Sequence, residues 1–531
     1  MFLSSTDRDD ASTRGGAPVF EATVDGVPTL WSDVPGDPTA TLVFGVGYRD
    51  TGVHTAGITH LIEHLVMRRV GHTDGVTNAI SSLDETAFHV RGTRQARSAF
   101  LAATCEAIGW LRTVTDADLE IEIERRTIRA EIGVAGTYLT STPTSARYGL
   151  DGVGSATAAH ARLMSWSARE VREVADAWFH RGNATLTLTT PPWDDLRVVL
   201  PAGSVPRRPT PPATRLSTAV AGEHERAVID LSGIVSRRYP VAVRTIAARA
   251  IQLALTEALR HDEGHVYDVD VARLESGSDE LWSIELDPPD DAVVPAVRTL
   301  LQALGGLADR GPTERVLARA KQAVGAELAL PSYQAASLDL LALSRLRGED
   351  PPERDVRNLD AVTEGQVQSV VADLLRVPLL LLPDESTEDR EVRRALDAHG
   401  YAAFDRGPDP DGRPPRRVIS ELYFGRRGRR LVTARQALPV HRGKWFSPAR
   451  GTEIAVTEDR IVVLGIDTVL TMLLDDIVLM GTDADGDVEI VSSTGAFAVI
   501  RPASYRGLAR ALATAATPRA VRYDKSGSVP G

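Results

Sequence analysis

Two histidines four residues apart, with a glutamate between them, stand at His60-Leu61-Ile62-Glu63-His64. On a helix, residues four apart lie one turn above one another, so both imidazoles can face a single ion. Glu63 sits next to that face. A carboxylate there can take a proton from a water beside the ion, the general-base task of metal-assisted hydrolysis. A partly exposed helix whose histidines meet solvent or carbonyl groups would produce the same spelling. The chain has one cysteine, Cys105, which rules out an internal disulfide and a thiolate cage, so zinc would have to rest on His and carboxylate.

A catalytic zinc takes three protein ligands and leaves a fourth position for water. Downstream lies a charged stretch from Asp116 to Glu131 carrying Glu120, Glu122, Glu124 and Glu131. Glu124 and Glu131 are seven residues apart, about two helical turns, and share a face with no helix breaker between them. Glu120 and Glu122 read as members of a solvated charged face.

With these residues in view, the chain resembles the pitrilysin, insulinase and mitochondrial processing peptidase family. Gly57-Ile58-Thr59-His60-Leu61-Ile62-Glu63-His64 looks like its H-x-x-E-H signature, and Glu124 to Glu131 is similar to its E-x6-E helix. The resemblance implies zinc on His60, His64 and Glu131, Glu63 as the catalytic base, and a supporting catalytic role for Glu124. Thr77-Asn78-Ala79-Ile80-Ser81-Ser82, followed by Thr86, is similar to the family's N-A-[FY]-T-S segment. It implies that Asn78 and Ala79 bind substrate by backbone pairing at a strand edge; taken alone, Asn78 reads equally well as a turn residue. Leu259-Arg260 with Gly264 and Tyr267 resembles the L-R-x3-G-x2-Y element. It implies that Arg260 and Tyr267 reach the substrate carbonyl and steady a developing oxyanion. By spacing alone they read as a helix-end cation and a core phenol. The likeness departs from the family between His64 and Asn78, where Met67 to Thr73 replace the usual aromatic and Gly-Thr and the segment is short, so a reduced chamber wall is expected.

These residues need elements to hold them. Val19–Trp31 and Ala40–Gly47 read as strands, a helix starting near Ala56 carries the histidines, and Thr77–Val90 returns to strand. Ala184–Thr190, ATLTLTT, alternates as a half-buried strand does. Five prolines between Pro201 and Pro212 mark a stiff linker. Beyond it come a helix near Val241–His261, strands at Val266–Val271 and Trp282–Asp287, helices from Val294, and a buried strand at Val377–Leu382.

The expected fold is therefore α+β. Residues 18–200 form a zinc-binding lobe and 222–385 a second lobe without metal. The resemblance makes these two homologous α/β lobes closing a clam-like chamber. Residues 1–17 and 517–531 read as flexible tails, and 201–221 and 386–417 as linkers. Residues 418–516 look like a pleckstrin-homology-like or GRAM-like antiparallel β-barrel with one helix, its turns at Thr457–Arg460, Thr482–Gly486 and Ser492–Gly495. Basic residues from Arg426 to Lys444 there read first as a solvated loop, and as a membrane or protein contact if this module works as an adaptor.

Length and composition set the outer bounds. A chain of 531 residues needs several cores, and 43% hydrophobic with 25% charged residues is globular. A net charge of −12 argues against nucleic acid, which binds clustered cations. The polar N-terminus lacks a secretory apolar stretch and no run is long enough to span a bilayer, so the cytoplasm is expected and membrane association is not. The partners expected are a peptide substrate and, from the resemblance, a second copy or a related subunit. A non-catalytic subunit of the same fold is the main rival to an endopeptidase.

Overall fold

The computed structural model describes residues 18–51, 55, 57–115, 138–139, 143–158, 166–223, 228–262, 264–383, 386, 389–403, 421–424, 440–442, 453–464, 468–482, 486–493, 496–515, 517–518 and 520–524. The first sheet starts with β1 (Phe20–Val24) and β2 (Val27–Trp31), joined by a two-residue turn in which Asp25 (φ 49°) and Gly26 (φ 84°) are both left-handed. Paired positive φ values make a turn whose twist matches that of the strands it joins. β3 (Thr39–Phe44), β4 (Val76–Ser81), β5 (Thr86–Arg91) and, after the short β6 (Tyr138–Leu139), β7 (Ala184–Leu188) follow. The order across the sheet is β1-β2-β7-β3-β5-β4, which among the described residues leaves β4 at an edge.

Helices α1 (Tyr48–Thr51), α2 (Ile58–Val70) and α3 (Arg94–Trp110) alternate with these strands, and α4 (Pro143–Tyr148) and α5 (Ala168–Trp178) come before β7. Leu61, Ile62 and Leu65 of α2, Phe100 and Leu101 of α3 and Val171 of α5 bury one face of the sheet with Leu42, Phe44 and Phe88. Ser167 and Glu170 close a capping box at the start of α5, satisfying two backbone donors that would otherwise lack partners.

The second sheet contains β8 (Val220–Glu223), β9 (Ile229–Ser236), β10 (Val269–Ser276), β11 (Asp279–Leu286), β12 (Leu379–Leu382) and β13 (Ala402–Ala403), in the order β10-β11-β9-β12-β8-β13. Its core is shared with α6 (Val241–Leu255), α7 (Val293–Arg310), α8 (Glu314–Leu328), α10 (Val356–Asp360), α11 (Glu364–Leu374) and α12 (Arg390–Ala398); α9 (Pro331–Arg347) touches it only near its start, through Tyr333. Residues 390–398 and 402–403 therefore belong to this lobe and are not linker, because Val392, Leu396 and Tyr401 are buried in its core.

Each sheet borrows a helix from the other lobe. α9 lies on the first sheet, where Ala342 packs with Leu30, Val43 and Ala87. This explains why β7, expected to be half buried, is covered on both faces, with Thr185 and Thr187 each 3% exposed. In return, α4 covers the second sheet through Ala146 against Leu379 and Leu381. Arg147 donates there to the carbonyls of Ser232 (2.7 Å) and Val377 (2.9 Å).

The C-terminal strands are β14 (Glu421–Phe424), β15 (Val440–Arg442), β16 (Glu453–Val456), β17 (Arg460–Leu464), β18 (Thr468–Leu473), β19 (Ile477–Thr482), β20 (Val488–Ser492), β21 (Ala496–Ile500) and β22 (Val521–Asp524), with α13 (Leu508–Thr514). Among the described residues they form two five-stranded sheets, β14-β18-β17-β16-β15 and β22-β19-β20-β21-β6, and not one closed barrel. Ile454, Ile461, Ile477, Ile490, Leu508 and Leu512 join both sheets and the helix in one core. β6 pairs with β21, Tyr138 opposite Phe497 and Leu139 opposite Ala496, tying the first half of the chain to its last module. Among the described residues no helix is long and apolar enough to cross a membrane.

Candidate functional site

α2 starts at Gly57, whose φ of 82° is open to glycine at little cost. Burying Ile58, Leu61, Ile62, Leu65 and Val66 against the sheet fixes how the helix is rotated about its axis. That rotation turns His60 and His64 to the rim, each partly exposed, and their Nε2 atoms stand 3.2 Å apart. Two nitrogens about 2.0–2.1 Å from a tetrahedral zinc would be roughly 3.3 Å apart, so the pair has the bite such an ion needs. The same separation serves an N–H···N bond between the rings when no ion is held. Glu63 is buried, 9% exposed, with Oε2 4.0 Å from His60 Nε2. Among the described residues, these three are the one group of His, Cys, Asp or Glu side chains spaced to hold a metal ion, their ligand atoms within 4.8 Å of one another. Glu124 and Glu131 lie outside the described residues.

Hydroxyl groups tie the start of α2 to the edge strand. Ser81 Oγ donates to Thr59 Oγ1 (2.9 Å), and Thr86 Oγ1 donates to the Val46 carbonyl (3.0 Å). The Tyr48 hydroxyl donates to the carbonyl of Ser81 at 2.7 Å. Burial, and then the charge of Glu63, push that phenol up to about 12, so it stays a neutral donor. Tyr48 carries no spacing or motif by which the sequence alone would single it out.

Asn78 and Ala79 both lie on the edge strand β4. Val76, Asn78 and Ile80 face solvent, Val76 at 60% and Ile80 at 52% exposure, while Ala79 packs against the lobe core. Arg260 and Tyr267 meet each other, the guanidinium 5.3 Å from the ring centroid, with Tyr267 75% exposed. The π-helical turn Thr256–Asp262 and the left-handed Gly264 (φ 68°) bend the chain so that the two can stack. Tyr267 is therefore at the surface and not in a core.

Behind the site, α1 joins the lobes. Asp50 is buried and accepts from Arg208 (2.8 Å) and Arg347 (2.8 Å), while Arg49 pairs with Asp84 and with Glu349 (2.6 Å). Burial raises the Asp84 carboxyl, and the neighbouring Arg49 and Arg347 pull it back. Burial followed by repulsion from Glu349 lifts Glu275 to about 7. These acidic and basic residues lie far apart in the chain, and only the fold shows that they are partners.

No family model and no curated protein matches the sequence. Solved structures do. A protease from Helicobacter pylori aligns over 69% of this chain and 100% of its own at 14% identity, with a TM-score of 0.52. A peptidase M16 inactive domain from Pseudomonas fluorescens aligns over 69% and 98% at 15% identity, with a TM-score of 0.52. A chain of Complex III2 from Candida albicans, with Inz-5 bound, aligns over 73% and 100% at 14% identity, with a TM-score of 0.54. At these identities the likeness is one of fold: the two lobes are built as M16-like, pitrilysin-like peptidase lobes are, in a fold that proteases and an inactive domain share.

Proposed function

We propose that the chain is a zinc-dependent endopeptidase acting on extended peptides or unfolded segments, with leader or propeptide removal as one use. The observation that carries this reading is the 3.2 Å approach of His60 and His64 Nε2 beside the buried Glu63. His60 and His64 would hold the ion, and the resemblance supplies Glu131 as the third ligand and Glu124 as its support. Zinc, when bound, supplies a Lewis acid for the peptide carbonyl and makes water acidic enough to attack near neutral pH. Glu63 takes the proton from the attacking water and returns it to the leaving nitrogen. β4 holds an extended substrate along the segment that contains Asn78 and Ala79, since an edge strand offers unpaired N–H and C=O groups to an extended chain. Arg260 and Tyr267 act on the carbonyl oxygen in this reading, as the resemblance has it. A cytoplasmic home and pairing with a second copy or a related subunit complete the proposal.

The test is zinc content together with turnover of an unstructured peptide mixture. Glu63→Gln should keep the metal and lose cleavage by roughly a hundredfold or more, the range that general-base catalysis contributes. Undiminished cleavage in that variant, or a wild-type protein that holds zinc and cuts nothing, would give the site to the rival reading, a non-catalytic subunit. The intact set of His60, Glu63 and His64 favours the enzyme.

A further inference from the structure

β4 is an edge strand whose two sides differ in phase. Ser82 N–H donates to the Glu85 carbonyl at 2.8 Å, which puts Ser82 and Glu85 in the phase of a hydrogen-bonded pair. In an antiparallel ladder such pairs recur every second residue. Ile80 opposite Ala87, Asn78 opposite His89 and Val76 opposite Arg91 are then the pairs that spend their backbone groups on β5. Thr77, Ala79 and Ser81 turn their N–H and C=O groups to the open edge. An extended peptide laid along β4 would pair with those three.

Ser81 is not fully available. Its outward carbonyl already accepts the Tyr48 hydroxyl at 2.7 Å, and that phenol is close enough to Glu63 to feel its charge. Tyr48 is itself held firmly. Its N–H donates to the Ser82 carbonyl (3.0 Å) and that of Arg49 to the Leu83 carbonyl (3.2 Å). Gly47 lies so close to this turn that a Cβ would sit 2.4 Å from the Leu83 carbonyl carbon. The phenol is thus braced across the C-terminal end of β4.

Resting on the peptidase reading above, we infer that Tyr48 is a register stop: it caps the last free carbonyl of β4, so that a docked peptide pairs with Thr77 and Ala79 but not with Ser81. Backbone pairing alone reads no sequence and would let a peptide slide by two residues with its side chains still on the same faces. Blocking one end of the edge removes that freedom and fixes which bond lies over Glu63. Tyr48 is a positioning and specificity residue in this role.

Tyr48→Phe keeps the ring and removes the donor. The wild type should cut each unstructured peptide at one dominant bond, and Tyr48→Phe should add a second cut displaced by two residues, read by mass spectrometry of the products. A merely structural loss would lower all cuts together and leave their pattern unchanged, and that result overturns the inference. A second measurement needs no turnover. In Glu63→Gln, a short alternating Thr-Val peptide with lysine ends should slow hydrogen exchange at the Thr77 and Ala79 amides but not at Ser81. In the Glu63→Gln, Tyr48→Phe double variant all three should slow. Equal protection of Ser81 in both proteins, or none along β4, overturns the register stop. Failure of the peptidase reading shows separately, as a zinc-loaded wild type without cleavage.

Discussion

The approach of His60 and His64 was legible because one helical turn sets both the spacing and the geometry. Replacing His64 with Ala should weaken zinc affinity, measured by competition with a chromogenic chelator, by more than the ~10- to 100-fold typical of losing an outer-sphere partner. A wild-type affinity in that variant would mean the ion, if any, sits elsewhere. Tyr48 and Asp50 could not be found this way, because their roles come from contacts with Ser81, Arg208 and Arg347 that no local pattern encodes. Asp50 also accepts from the Gly47 N–H at 3.0 Å, so its carboxylate is shared by a turn and two guanidinium groups. Asp50→Ala should destabilise the fold by about 3–5 kcal/mol in denaturant titration, because it takes from Arg208 the carboxylate it pairs with and from the buried Arg347 one of its acidic partners. A loss below about 1 kcal/mol would mean that water replaces the carboxylate freely.

Among the elements, helices α2 and α6 were readable, while β4 and β5 were read together as one strand-like stretch, Thr77–Val90. What covers their outer faces was not: a helix borrowed from a distant segment leaves no periodic mark on the strand it buries. β7 shows this, its Thr-Leu alternation announcing one wet face that α9 in fact occupies. That face holds an acid, Asp339 of α9, which accepts from Thr187 and from Thr41 (3.3 Å), and Glu85 lies near enough to repel it. Burial lifts Asp339 from 3.8 to about 6 despite those two hydroxyl donors. The folded protein thus holds a proton that the unfolded chain releases, so this residue's contribution to stability is greatest below pH 4 and declines as the pH rises through about 6. Over that window the decline is about 3 kcal/mol. Asp339→Asn should flatten the pH profile of denaturant stability between about pH 4 and 7 relative to wild type. A variant profile parallel to the wild type would show that the carboxyl ionises without cost.

For the whole molecule, each lobe is finished by the other, α9 on the first sheet and α4 on the second. Residues 18–200 made alone should therefore be insoluble or bind a hydrophobic dye, with Leu30, Val43 and Ala87 uncovered. A soluble, cooperatively folding fragment would refute that dependence. Calorimetry of the full chain should show both lobes melting in one transition, since neither can lose its borrowed helix and stay packed. The exchange also affects biosynthesis. A ribosome that has finished β7 must add roughly 160 more residues before α9 is complete, on the order of ten to thirty seconds at common elongation rates. For that interval the nascent first sheet has a bare face, so a chaperone that binds polypeptides as they emerge would meet this chain before any substrate does.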